Sequence, residues 1–146
     1  MLSSTASPLL SRWDLLNVQD RIARVKLDFQ DWEIEVMQHP ARFKVVCAAR
    51  RSHKTDFLIK WTLVMTLQSM PGVEGWMLYP SYRWGKVDVW KRLLAYLRPP
   101  NDWLLAGEPN ANELTVPLID GHAVAIKGCE DPNSLRGGPM GVAGFD

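Results

Sequence analysis

Apolar and polar positions alternate along this chain with two different periods, and the change of period marks out its elements. Leu15, Val18, Ile22 and Val25 recur at helical spacing, with Asp14, Asp20, Arg21 and Arg24 on other faces. This predicts an amphipathic helix over about Ser11 to Lys26. A second short helix is expected from Asp31 to Gln38, ended by His39-Pro40. Phe43, Val45, Val46 and Cys47 form an apolar run too compact for a helix and are read as a strand. A small, basic turn follows, then a helix from Thr55 to Met70 closed by Pro71-Gly72. A second strand, Trp76 to Tyr79, stops at Pro80.

Strand, helix, strand is the unit that builds a parallel sheet. A further helix is expected from about Gly85 to Leu97, before Pro99-Pro100. Glu113 to Ile119 and His122 to Lys127 flank Asp120-Gly121, a pair that favours a type I′ hairpin turn. After the polar loop GCEDPNSLRGGP comes a last apolar run, MGVAGFD, ending on Asp146.

Composition narrows the class. The chain has 146 residues, 47% apolar and 23% charged, and a net charge of +1, as expected for one folded domain with a core of its own. Its two cysteines, Cys47 and Cys129, form no CxxC pattern and are read as buried thiols in a reducing compartment. The seven tryptophans are read mostly as core. No apolar stretch approaches the ~18 residues of a membrane span, and the start of the chain lacks the layout of a secretory signal, so an intracellular protein is expected. The histidines and cysteines (His39, His53, His122, Cys47, Cys129) lack the pair spacings of metal ligands.

The charge is uneven. From Arg42 to Lys60 there are six basic residues and one acid, Asp56, a local excess of +5. That makes a candidate anion site, or a solvated basic face. Within it, CAARRSHKT sits between the apolar run and a helix, the layout of a phosphate-binding loop. In loops of the form G-x-x-x-x-G-K-[ST], backbone N–H groups cradle phosphate, the lysine reaches the outer phosphates and the hydroxyl holds Mg2+. Here that register runs from Ala48 to Thr55: Lys54 and Thr55 are present, and Ala48 and His53 stand at the two glycine positions.

The ordered set WEIEVM, RFKVVCAARRSHKT, GWMLYPSYRWGKVDVWKRL and NELTVPLIDGHAVAIKGCEDPNSLRGGPMGVAGFD resembles the N-terminal ATPase region of the large terminase subunits of tailed bacteriophages, which pump DNA into capsids. The resemblance covers residues 29 to 146, about four-fifths of the chain, and leaves 1 to 28 as an N-terminal helical segment. It implies an α/β, P-loop NTPase-like fold, a mainly parallel sheet sandwiched by helices with a β-hairpin insertion, incomplete at its C-terminus. In such a fold Val45, Val46, Trp76, Leu78 and Val142 lie on central parallel strands, and Val46→Asp should unfold the domain.

By position, the resemblance makes Lys54 the phosphate-clamping lysine, Thr55 a Mg2+ ligand, Arg50 the arginine acting at the γ-phosphate, and Asp146 the aspartate on the Mg2+ side. Ala49, Arg50, Arg51, Ser52 and His53 become the loop around ATP, and Trp32-Glu33 the adenine-reading pair. Tyr79-Pro80-Ser81-Tyr82 matches the family's strand end, and Leu135-Arg136-Gly137 the loop before its last strand. The implied partners are double-stranded DNA, the portal and the small terminase subunit, in a ring-forming homo-oligomer of the full-length parent in the host cytoplasm.

Three departures bear on activity. Glu33 replaces a glutamine, whose amide both donates and accepts. His53 replaces the glycine that permits close approach to phosphate, and an L-residue forced into left-handed backbone there costs ~1–3 kcal/mol. The water-activating glutamate that should follow Asp146 is not among the 146 residues, and neither is a nuclease domain. The expectation is an impaired nucleotide site without turnover, or a non-enzymatic relic serving as a binding or assembly module.

Overall fold

The computed structural model describes residues 23–146, so most of the helix expected over residues 11–26 lies outside the described residues. The described chain is an α/β fold: a four-stranded mixed sheet, mostly parallel, packed against three helices. The helices are α1 (Asp31–Gln38), α2 (Lys54–Gln68) and α3 (Trp90–Tyr96). The strands are β1 (Glu74–Tyr79), β2 (Thr115–Pro117), β3 (Ala123–Gly128) and β4 (Met140–Phe145), in the spatial order β2-β3-β1-β4.

β1 is the central strand. It pairs in parallel with β3 on one side and β4 on the other, while β2 runs antiparallel to β3. Every β1 residue after Glu74 is buried, as its short apolar run foretold. Met77 and Tyr79 face the larger core, with Ile59, Leu63 and Leu67 of α2, Trp90 and Leu93 of α3, and Val124 and Ile126 of β3. Trp76 and Leu78 point the other way, toward Ala125, Ala143 and Leu135.

α2 is buried on several faces, at Phe57, Ile59, Leu63, Val64 and Leu67, because it lies directly on β1 and β4. Two strand glycines allow that approach. A Cβ on Gly75 would stand 2.0 Å from Thr66 Oγ1, and one on Gly144 would stand 2.2 Å from Leu58 Cδ1.

α3 is reached without a break from a turn at Tyr82–Trp84 and a π-helical segment, Gly85–Val89. The segment after α3 is tied back to the start of the described chain by Asn101. Its amide donates to Lys26 O (2.8 Å) and to Tyr96 O (2.9 Å), and its Oδ1 accepts from the Lys26 N–H at 2.7 Å. Between β2 and β3, Asp120 and Gly121 both take positive φ, 61° and 74°, as a type I′ turn requires.

The strand expected at Phe43 to Cys47 is not formed. A strand holds only by bonding to a neighbour. Both edges of β1 and of β3 are already taken, and residues 43–47 bridge to neither of the remaining outer edges, those of β2 and β4. Phe43 is 83% exposed, Val45 88%, and Val46 half-buried, so Val45 and Val46 are not central-strand residues. Val142 lies on the edge strand β4, whereas Trp76 and Leu78 do lie on the central strand. Both cysteines are exposed, contrary to expectation: Cys47 goes with the unformed strand, and Cys129 falls just past the end of β3. Of the described tryptophans, Trp76 and Trp90 are buried, Trp32, Trp61 and Trp103 are half-buried, and Trp84 is 75% exposed.

Candidate functional site

The basic loop meets the rest of the molecule at the C-terminal end of the parallel strands, where open α/β sheets place their ligands. Residues 48–53 lead into the N-terminus of α2, where the first N–H groups have no intrahelical partner and the helix dipole favours an anion. Arg51 and His53 both adopt left-handed backbone, φ 63° and 61°. His53 is thus a non-glycine residue in the glycine conformation expected of its position, at a cost of ~1–2 kcal/mol.

Lys54 folds back over the loop. Its Nζ donates to the carbonyl of Ala48 and, at 3.4 Å, to that of Ala49. Ser52 Oγ donates to Ala49 O at 2.7 Å, closing the turn from the other side. Arg50 and Arg51 are exposed. The loop is therefore an open cationic turn, with its lysine parked on its own carbonyls.

Thr55 makes the longest link in the site. Its hydroxyl donates to Asp146 Oδ2 at 2.9 Å, across 91 positions of sequence. Asp146 is held there by the sheet, since its N–H continues the β4 ladder to Leu78 O at 3.1 Å. Lys54, Thr55 and Asp146, three residues marked in the sequence, are thus brought together at one end of the sheet.

Beside them lies a polar network that the sequence did not disclose. Asp56 accepts from Arg92 Nη1 (3.1 Å) and from the Tyr96 hydroxyl (3.2 Å), and its Oδ2 lies 3.6 Å from His53 Nδ1. Arg92 also reaches Asp88 at 2.9 Å. Burial works against the Arg92 charge, but Asp56 and Asp88 outweigh it and hold its pKa above the ordinary value. Burial first, then Asp56, pushes the Tyr96 phenol up to about 12. Through Asp56, α3 is clasped to the loop. Only the local spacings in this network, i, i+4 for Asp88 and Arg92 and i, i+3 for His53 and Asp56, were open to sequence reading.

Trp32 and Glu33 are placed differently. Glu33 is fully buried and accepts from Lys60 Nζ (2.7 Å) and from the Gln30 N–H (2.8 Å). Lys60 donates in addition to Asp28 O at 2.7 Å and lies 5.0 Å from the Phe29 ring centre. Trp32 packs edge-on against Phe57, centroids 5.1 Å apart, and its indole N–H donates to Gln30 Oε1 at 2.7 Å. Among the described residues no hydrogen bond or ion pair joins this pair to the loop.

Leu135 packs against the Trp76 and Leu78 face, and Arg136 is exposed. A separate hollow of about 540 Å³, with Glu113, Lys127, Glu130 and Asp131 on its walls, opens next to Tyr82.

The donor set at the loop, one hydroxyl and one carboxylate, is of the kind that suits a hard cation carried by phosphate. Among the described residues no group of three or more His, Cys, Asp or Glu converges to hold a metal unaided. No described helix is long and apolar enough to cross a membrane. Comparisons of the chain with protein-family models, with curated proteins and with solved structures each returned no match.

Proposed function

We propose that residues 48–55 are the phosphate-binding element of a nucleotide site, and that the chain is part of a P-loop ATPase domain of the phage DNA-packaging kind its motifs resemble. The observation that carries this reading is the contact between Thr55 and Asp146 at the mouth of the loop. A hydroxyl from the first turn of a helix and a carboxylate at a strand end are the pair that would hold Mg2+ against bound phosphates.

Lys54 and the N-terminus of α2 would take the phosphates, with Arg50 at the outermost one. Mg2+, when bound, would supply charge neutralisation. Before phosphate enters, Lys54 must leave the carbonyls of Ala48 and Ala49. That exchange, with the strain at Arg51 and His53, makes the site weak.

Glu33 offers adenine no exposed acceptor, because the residue is fully buried and its Oε2 accepts from Lys60 and the Gln30 N–H. Recognition then rests on the phosphates. DNA, portal and small-subunit partners are proposed on the resemblance alone.

The second reading, a loop relic in a non-enzymatic assembly module, is favoured by one observation: two non-glycine residues hold left-handed backbone in a loop whose lysine is already satisfied. Calorimetric titration with Mg-ATP separates the two. The first reading expects weak, saturable binding that Lys54→Ala abolishes and tripolyphosphate displaces. Absence of binding to the unmodified chain would leave the relic.

A further inference from the structure

Tyr79 closes β1, and its ring belongs to the main core. The residue is only 4% exposed, yet its hydroxyl has no hydrogen-bond partner among the described residues. A buried hydroxyl left unpaired is destabilising, and phenylalanine would fill the same volume without that cost. The hydroxyl is therefore unexplained by packing.

Register shows where it sits. Leu78 pairs with Phe145 in the parallel β1–β4 ladder, and the Asp146 N–H donates to Leu78 O. Tyr79 and Asp146 are next in line and leave the sheet on the same face, the one covered by α2. The carboxylates of Asp146, Asp88 and Asp56 and the guanidinium of Arg92 all act on the phenol. Burial first, then Asp146, raises its pKa far above the ordinary value. Three carboxylates against one guanidinium leave the surroundings short of two positive charges, and a phenol oxygen among carboxylates is suited to the water shell of a divalent cation. Mg2+ keeps several of its waters when protein supplies only one or two ligands.

We propose that the Tyr79 hydroxyl is a further ligand-contacting group of the loop site, hydrogen-bonded to a water of the hydrated divalent cation that Thr55 and Asp146 would ligate. This rests on the nucleotide reading given above. The Tyr79 oxygen touches the ion only through its water, so its loss should weaken the cation's contribution and spare that of the phosphates.

The test measures ATP affinity with and without Mg2+ by calorimetry, in the unmodified chain, Tyr79→Phe and Lys54→Ala. The ratio of the two affinities is the Mg2+ enhancement. Tyr79→Phe is expected to melt at or above the unmodified chain, to keep its metal-free affinity, and to lose about threefold to tenfold of the enhancement, the worth of one hydrogen bond. An unchanged enhancement, with binding still lost in Lys54→Ala, overturns this proposal alone. An unmodified chain that binds no nucleotide overturns the nucleotide reading and this proposal with it. A fall in melting temperature with unchanged enhancement would give the hydroxyl a structural water instead, and also overturns it.

Discussion

At the scale of single residues, His53 decides how good the site is. Its backbone stands at φ 61°, ψ 30°, where glycine is at no disadvantage and any other residue is strained. His53→Gly relieves ~1–2 kcal/mol of strain but gives back ~0.5–1 kcal/mol through the freer unfolded chain. The contact of its exposed imidazole with Asp56, at 3.6 Å, is worth little. Thermal melting should therefore show the variant unchanged or stabilised by up to ~1 kcal/mol, while Mg-ATP affinity rises by about tenfold as the imidazole leaves the loop. Equal affinities would mean that His53 is not what impairs the site. His53 was legible in the sequence because its register against Lys54-Thr55 placed it at a glycine position. The Glu33–Lys60 pair was not legible, since nothing local marks two residues 27 positions apart as partners. Tyr79 was legible as the last strand residue before Pro80, but its unpaired hydroxyl is a property of the packed molecule.

At the scale of elements, what could be read from the sequence was whatever is decided locally. α1 runs over the span its pattern predicts, Asp31–Gln38, and the Asp120-Gly121 turn is set by the φ its residues tolerate. The run at Phe43 to Cys47 has strand composition too, but pairing is decided by which edges are free. This has a measurable consequence that reverses the expectation drawn from the resemblance. Val46→Asp should cost within ~1 kcal/mol, because a half-buried residue outside the sheet pays little for a carboxylate. Met77→Asp, on the central strand with no exposure, should unfold the chain, since an unpaired buried carboxylate costs as much as the whole domain's stability. Denaturant melts of the two variants check this, and a Val46→Asp protein that fails to fold would restore the strand.

At the scale of the whole molecule, two features dominate: a sheet edge left unpaired among the described residues and a site assembled from distant parts. β4, MGVAGF, carries no charge and no proline along the outer edge of the sheet. Phe145 and Met140 on it, with Phe43 and Val45 elsewhere on the surface, are exposed. Natural edges are usually guarded by charge, bulges or cover; this one has only a register shift near its start, between Met140 and Val142, and is expected to drive self-association. Sedimentation velocity should show mass rising with concentration in the micromolar range, and Phe145→Lys should suppress it. A monomer over the whole range would mean that the edge is not sticky.

The site itself depends on the sheet bringing Asp146 to Thr55, and that convergence is the centre of the functional account. Backbone amide mapping by NMR during a Mg-ATP titration tests it directly. The account predicts that the largest shifts fall on Ser52 to Asp56 and on Asp146, with smaller ones at Tyr79 and Arg92. Shifts confined to the hollow beside Tyr82 and Glu130, or no saturable shift at the loop, would contradict it.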